Sequence, residues 1–100
     1  MRKYQKVVED GIKLLESKYW DVSLLIDLDN LDLHSWYRCP LGQLYGSYEN
    51  GVNELKHCHA TNFEYIQDKW AAKYGFILME DNRKEYNLLT AEWKRQLGKK

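Results

Sequence analysis

The sequence predicts an all-α fold, a compact four-helix single domain that spans residues 1–100, with a structural zinc ion as a candidate staple. Three observations predict it: apolar residues recur at steps of three and four, capping signals precede two of these stretches, and glycines follow two of them. With 44% hydrophobic and 30% charged residues, the chain can bury one modest core and keep a soluble surface. A disordered chain is therefore not expected.

The first predicted helix covers residues 4–18. Gly11 lies inside it and costs about 1 kcal/mol relative to Ala, so we expect a neighbouring backbone or ring to pack closely there. The apolar residues that share one face, and that we expect to face the core, are Tyr4, Val7, Val8, Ile12, Leu15 and Tyr19.

The second predicted helix covers residues 40–55. Pro40 suits its first turn, where a backbone N–H is not needed. Gly42 and Gly46 lie one turn apart, and we expect them to let another helix approach closely. Asn50 and Gly51 are the expected place for a bend or an end. Its expected buried residues are Leu41, Leu44, Tyr45, Tyr48, Val52 and Leu55.

The third predicted helix covers residues 61–74. Thr61 followed by Glu64 is a capping box, and Gly75 is expected to adopt the left-handed conformation just past the end of the helix. Its expected buried stripe is Phe63, Ile66, Trp70 and Tyr74.

The fourth predicted helix covers residues 82–97. Asn82 with Glu85 repeats the capping pattern, and Gly98 is expected to close the helix. The apolar run 76–79 before it is predicted to be a buried linker, because no partner strand is evident. The expected buried face is Tyr86, Leu89, Trp93 and Leu97.

The stretch from Trp20 to Trp36 has no sustained periodicity and is predicted to be a connecting segment with short turns. Its carboxylates Asp27, Asp29 and Asp32 could suggest a calcium loop, but the glycine and the terminal glutamate of such loops are missing. We therefore expect turn and capping roles for these side chains.

The candidate metal ligands lie between residues 34 and 59, which contain both cysteines and all three histidines of the chain. Thiolate and imidazole are the ligands that tetrahedral zinc selects, and a zinc ion could clip the connecting segment to the loop before the third helix. An unbroken helix 40–55 would separate the ligands by more than about 20 Å, so a single site requires a break in that helix. The alternative is a buried cysteine, a second packed cysteine and three surface histidines. The candidate zinc ligands are His34, Cys39, His57, Cys58 and His59.

The charge balance argues against a nucleic-acid binder, because 15 basic and 15 acidic side chains give no net charge to neutralise phosphates. No apolar run approaches a membrane span, and the first residues lack the apolar segment of a signal peptide. We therefore expect a cytoplasmic protein that does not bind membranes. In a reducing compartment, a disulfide between Cys39 and Cys58 is disfavoured.

An enzyme is not expected either, because the sequence offers no nucleophile with a base and no paired carboxylates, and a zinc site with all four positions filled is structural. A protein-binding module is the favoured class, since 14 aromatic residues exceed what a small core buries easily. Trp70 and Trp93 are expected in the core. The candidate contact residues are Trp36, Tyr37 and Arg38, and the sequence leaves open whether Trp36 and Tyr37 are exposed or belong to the core.

The chain also resembles a group of small phage and prophage proteins. The residues that carry the resemblance are 26–33, 39–48 with Gly51, 74–76 and 86–93, and the most specific part is the Leu-Gly-Gln-Leu-Tyr-Gly core at 41–46. It further resembles a zinc-containing member of the anti-CRISPR inhibitors of type II CRISPR effectors. This resemblance implies a binder of the type II CRISPR effector nuclease in the cytoplasm of the bacterial host, with its recognition lobe as the favoured target. The alternative is a small zinc-binding phage protein that binds DNA or a host regulator.

Overall fold

A computed structural model describes residues 2–56 and 64–99 of the chain. Within these ranges the protein forms α-helices and no strand, so the predicted all-α class is confirmed. The Cα radius of gyration, 12.4 Å, is close to the roughly 13 Å of a compact 100-residue domain. The helices are α1 (Gln5–Glu16), α2 (Val22–Leu25), α3 (Pro40–Tyr45), α4 (Tyr48–Lys56), α5 (Glu64–Lys73) and α6 (Arg83–Gly98).

The core forms where α1 packs against α5 and α6. Gly11 permits this contact, because a Cβ atom added there would lie 2.0 Å from the carbonyl oxygen of Tyr74 and 3.1 Å from the ring of Trp93. The predicted close approach at Gly11 is therefore confirmed. The buried residues of α1 are Val8, Gly11, Ile12 and Leu15.

Aromatic rings fill the centre of this core. Trp93 is fully buried and stacks on Phe76, with ring centroids 5.7 Å apart. Its indole N–H donates to the carbonyl oxygen of Gly75 at 2.8 Å, which satisfies a polar group that burial would otherwise penalise. Trp70 is also buried, and both tryptophans lie in the core as predicted.

The helix predicted over 40–55 is divided into α3 and α4. The break lies at Gly46, whose φ of 95° ends α3, and not at Asn50–Gly51. Gly51 instead lies buried within α4, where an added Cβ would be 2.5 Å from the Cβ of Leu41, so it allows α3 and α4 to pack closely.

Two of the residues predicted to begin or end helices do so. The Asn82 side chain accepts a hydrogen bond from the Glu85 N–H at 3.2 Å and caps α6. Gly75 has a φ of 71°, and residues 76–79 form a linker without a strand, as predicted. The prediction that this linker is buried is correct for Phe76 but wrong for Met79, which is exposed. Thr61, predicted to cap the third helix, lies outside the described residues. α2 is an additional single turn in the predicted connecting segment, capped by the side chain of Asp21.

Across the described ranges, no helix combines the length and apolar character needed to cross a membrane.

Candidate protein-binding surface

The candidate surface is built on residues 31–39, which precede α3 and which we call the platform loop. The loop has no helix or strand, but its backbone bonds to itself. The Asp32 N–H donates to the Arg38 carbonyl at 3.2 Å, and the Ser35 N–H donates to the Asp32 carbonyl at 3.0 Å. The Cys39 N–H donates to the Ser35 carbonyl at 3.3 Å. These bonds close the loop into a compact unit.

A side chain of the platform loop and two neighbouring helices supply further bonds. The hydroxyl of Ser35 accepts from the N–H groups of Tyr37 and Arg38, at 3.2 and 3.0 Å. The Tyr48 N–H, at the start of α4, donates to the Trp36 carbonyl at 2.7 Å. The Leu33 N–H donates to the Thr90 hydroxyl of α6 at 3.0 Å. The loop is thus fixed to both α4 and α6.

The glycine and glutamine of the Leu-Gly-Gln-Leu-Tyr-Gly core hold the loop from α3. An added Cβ at Gly42 would lie 2.5 Å from the backbone of Tyr37, so the loop can cross α3 only at a glycine. The expectation that Gly42 and Gly46 let another helix approach is therefore wrong, because the loop lies against Gly42 and Gly46 is exposed. The Gln43 amide accepts from the Asp27 N–H at 2.6 Å and donates to the carbonyls of Asp27 and Arg38, each at 3.1 Å.

The predicted contact residues lie together on this loop and face solvent. Trp36 is 58% exposed and Tyr37 is 69% exposed. The Trp36 ring is held edge-on against the ring of Tyr48, with centroids 5.0 Å apart, so one part of the indole is anchored while the rest is free. The Arg38 side chain is more than half exposed.

The platform loop contains a largely buried carboxylate, that of Asp32. It accepts from the His34 N–H at 3.0 Å, from Arg38 at 3.0 Å and from Arg83 of α6 at 3.2 Å. Burial by itself would raise the pKa of Asp32, but the hydrogen bonds from the His34 backbone and the two guanidinium groups outweigh it and lower the pKa. Asp32 therefore stays ionised and orients both arginines.

A cavity of about 290 Å³ opens beside Trp36. His34 lies at its edge, where its Nε2 is 2.8 Å from Asp81 and its ring meets the Tyr86 ring edge-on at 5.0 Å. The cavity is lined by Leu33, His34, Ser35, Trp36, Cys39, Tyr48, Phe76, Ile77, Leu78, Met79, Asp81 and Tyr86.

Cys39, a predicted zinc ligand, acts as the N-cap of α3. Its sulfur accepts from the Gly42 N–H at 3.3 Å, and the side chain is buried. Burial raises the pKa of the thiol to about 11, which favours the protonated form over a nucleophilic thiolate. Cys39 and His34 alone are two of the four ligands that a structural zinc site needs.

Among residues 2–55 and 68–99, whose side chains the structure describes, no group of three His, Cys, Asp or Glu could hold a metal ion. The other predicted ligands, His57, Cys58 and His59, lie outside the described residues. Zinc binding by this set stays a prediction.

Comparisons with protein-family models, with curated proteins and with solved structures found no match to this chain. The resemblance to small phage proteins and to anti-CRISPR inhibitors therefore rests on the sequence motifs alone. The structural feature that bears on function is the platform loop, an irregular segment that presents two aromatic rings and an arginine side by side.

Proposed function

We propose that this protein is a small phage inhibitor that binds a type II CRISPR effector nuclease of the bacterial host through Trp36, Tyr37 and Arg38. The observation that carries the proposal is the exposure of these three side chains on one braced loop. Tryptophan, tyrosine and arginine are the residue types that dominate binding energy at protein interfaces.

The bracing of the platform loop supports a role in binding. Ordering a flexible loop on association costs free energy, and a loop already fixed by hydrogen bonds avoids much of that cost. Trp36 is anchored against Tyr48 before any partner arrives. The aromatic surface is therefore prepared for contact.

The balance of charge favours contact with a protein surface over imitation of DNA. A decoy for duplex DNA needs dense carboxylates, and this chain has equal numbers of acidic and basic residues. Binding to the recognition lobe would block target DNA binding or the later nuclease docking, steps that require protein–backbone contacts and conformational change. Loading of guide RNA would be unaffected. The protein itself would perform no catalysis.

The test measures binding of the protein to the intact effector–guide RNA complex and inhibition of target cleavage. We expect micromolar affinity or tighter, with amide-exchange protection on the recognition lobe. Trp36→Ala should weaken binding by about 30-fold, the loss typical of a central aromatic contact. Tyr37→Ala, which leaves the Trp36–Tyr48 contact intact, should also weaken it.

The matched control is Trp20→Ala, because Trp20 is 98% exposed and lies outside the platform loop. It should leave binding unchanged within about twofold. The assignment of the partner is wrong if the effector complex does not bind at micromolar concentrations. The assignment of the surface is wrong if Trp20→Ala disrupts binding while Trp36→Ala and Tyr37→Ala do not. Loss of inhibition in modest salt, with competition by a short protospacer-adjacent duplex, would instead indicate DNA mimicry.

A further inference from the structure

A charged groove of about 390 Å³ lies between the platform loop and α6, next to the proposed contact surface. Arg38 belongs to both, because it follows Trp36 and Tyr37 in the chain and also lines the groove. The charged residues of its lining are Asp29, Asp32, Arg38, Arg83 and Lys94.

The two arginines of the groove are held in place by one buried acid. Arg38 donates to one oxygen of Asp32 at 3.0 Å, and Arg83 reaches both oxygens, at 3.2 and 3.1 Å. The Asp32 side chain is largely buried, whereas both arginine side chains are more than half exposed. The guanidinium groups are therefore fixed in orientation while they still face solvent.

These arginines keep hydrogen-bonding capacity for a second acid. A guanidinium group carries five N–H donors, and in the described part of the chain Arg38 donates to Asp32 through one nitrogen and Arg83 through two. The remaining donors match a planar carboxylate, which arginine binds bidentately. Lys94 adds a third positive charge on the same groove.

We propose that this groove binds a segment of the partner protein that carries acidic side chains, with carboxylates received by Arg38, Arg83 and Lys94. This inference deepens the proposed protein-binding function and rests on it, since the segment belongs to the bound partner. A contact of this kind fixes the register of the partner beside the aromatic surface.

The charges of the groove favour an acidic peptide over nucleic acid. The three positive groups line one open groove, together with Asp29 and Asp32, and do not form an extended basic stripe. Asp29 would repel a continuous phosphate backbone. A peptide, by contrast, can place one or two carboxylates on the arginines without bringing a negative charge close to Asp29.

The experiment titrates a short acetylated, amidated peptide with two glutamates among glycines into the isotopically labelled full-length protein at low salt and follows backbone amide shifts. We expect shifts confined to residues 29–38 and 83–94, which contain the lining residues of the groove. Lys94→Gln should lower the affinity for the peptide by about fivefold, because one charge contact is lost. Arg83→Lys should weaken it by about tenfold, because it keeps the charge but loses the planar fork.

Lys84→Gln is the matched control, because Lys84 is an exposed lysine of α6 outside the groove. It removes the same charge as Lys94→Gln and should change peptide affinity by less than about twofold. Lys94→Gln leaves the Asp32 network untouched, so this comparison does not depend on the folding of Arg83→Lys.

Equal weakening by Lys94→Gln and Lys84→Gln, or shifts outside the groove, would overturn the proposal. Tighter binding of a short DNA duplex or of inorganic phosphate at the same amides would also overturn it. Because no effector is present in this titration, its result is separable from the proposed function. If the peptide binds at the groove but the effector does not bind, the proposal of an acid-binding groove is retained and only the effector is excluded as the partner. Effector binding through Trp36 without localised peptide binding removes only the groove.

Discussion

The helix pair α1 and α6 and the platform loop are both ordered, but different interactions hold them. Apolar side chains and a glycine contact join the helices, with Trp93 fully buried between them. Polar side chains hold the platform loop, where Ser35, Gln43 and Thr90 bond to its backbone or to its neighbours. A segment without a helix or strand can therefore be fixed when side chains satisfy its backbone groups.

The difference matters for function, as the two tryptophans show. Trp93 is buried in the core, and its indole N–H donates a hydrogen bond to a backbone carbonyl. Trp36 contributes little to the core because hydrogen bonds, and not ring burial, position its backbone. Polar bracing thus leaves an aromatic ring available for a partner.

The largest expected effect is on the helix pair. Gly11→Ala should lower the free energy of unfolding by about 3 kcal/mol, because the added methyl group meets the Tyr74 carbonyl and the Trp93 ring. This loss should appear despite the higher helix propensity of alanine. Urea unfolding followed by tryptophan fluorescence measures it.

Gly98→Ala is the control for that substitution. Gly98 also lies in a helix, but an added Cβ there has no atom within 4 Å among the described residues. Its stability should be unchanged or rise by up to about 1 kcal/mol. Equal stability of Gly11→Ala and Gly98→Ala would show that the two helices do not approach closely at Gly11.

An intermediate effect is expected in the platform loop. Gln43→Ala removes three hydrogen bonds, to Asp27 and Arg38, and should lower the free energy of unfolding by about 1–2 kcal/mol. Amide exchange should accelerate at Asp27 and in the platform loop, while α1 and α6 keep their protection. Hydrogen exchange read by NMR separates the two regions.

Asn53→Ala is the control, since Asn53 is an exposed polar residue of α4. It should change stability by less than about 0.5 kcal/mol. Uniformly faster exchange in both regions of Gln43→Ala would mean that the loop and the helix pair unfold as one unit, which would break the comparison.

The sequence predicted the helix pair better than the platform loop, for a physical reason. Apolar residues at helical spacing placed Trp70 and Trp93 in the core, and a glycine within α1 indicated a close contact. The bonds of the loop join residues far apart in sequence, such as Leu33 and Thr90, and no periodicity records them.

The sequence likewise predicted the candidate site only in part. Exposure of Trp36 and Tyr37 was left open by the sequence, because the stretch around them has no helical or strand spacing. Gln43 carried no signal, since a glutamine in a helix is usually a surface residue. The roles of Gln43 and of Asp32 beneath the arginines follow only from the folded arrangement.

The smallest expected effect concerns an ionic contact of the helix pair. Glu92 is buried in α6, where Arg95 donates to it at 3.1 Å and Arg2 lies 3.6 Å away. Burial alone would raise the pKa of Glu92, but the hydrogen bonds from Arg95 and Gln96 and the charge of Arg2 outweigh it and lower the pKa below its ordinary value. A carboxyl whose pKa is lowered by folding stabilises the protein above its unfolded pKa, and this contribution is lost as the pH falls through the folded pKa.

The wild-type protein should therefore exceed Glu92→Gln in stability by about 1 kcal/mol at neutral pH, and the difference should shrink below the ordinary glutamate pKa of 4.5. Urea unfolding at a series of pH values measures both quantities. The exposed position Glu80 supplies the control, since Glu80→Gln should alter stability by less than about 0.5 kcal/mol at neutral pH. A difference that persists unchanged into strong acid would show that packing of the side chain, and not its charge, provides the Glu92 contribution. A difference well above that of Gln43→Ala would show that the ionic contact of Glu92 contributes more to stability than the hydrogen bonds of Gln43 in the platform loop.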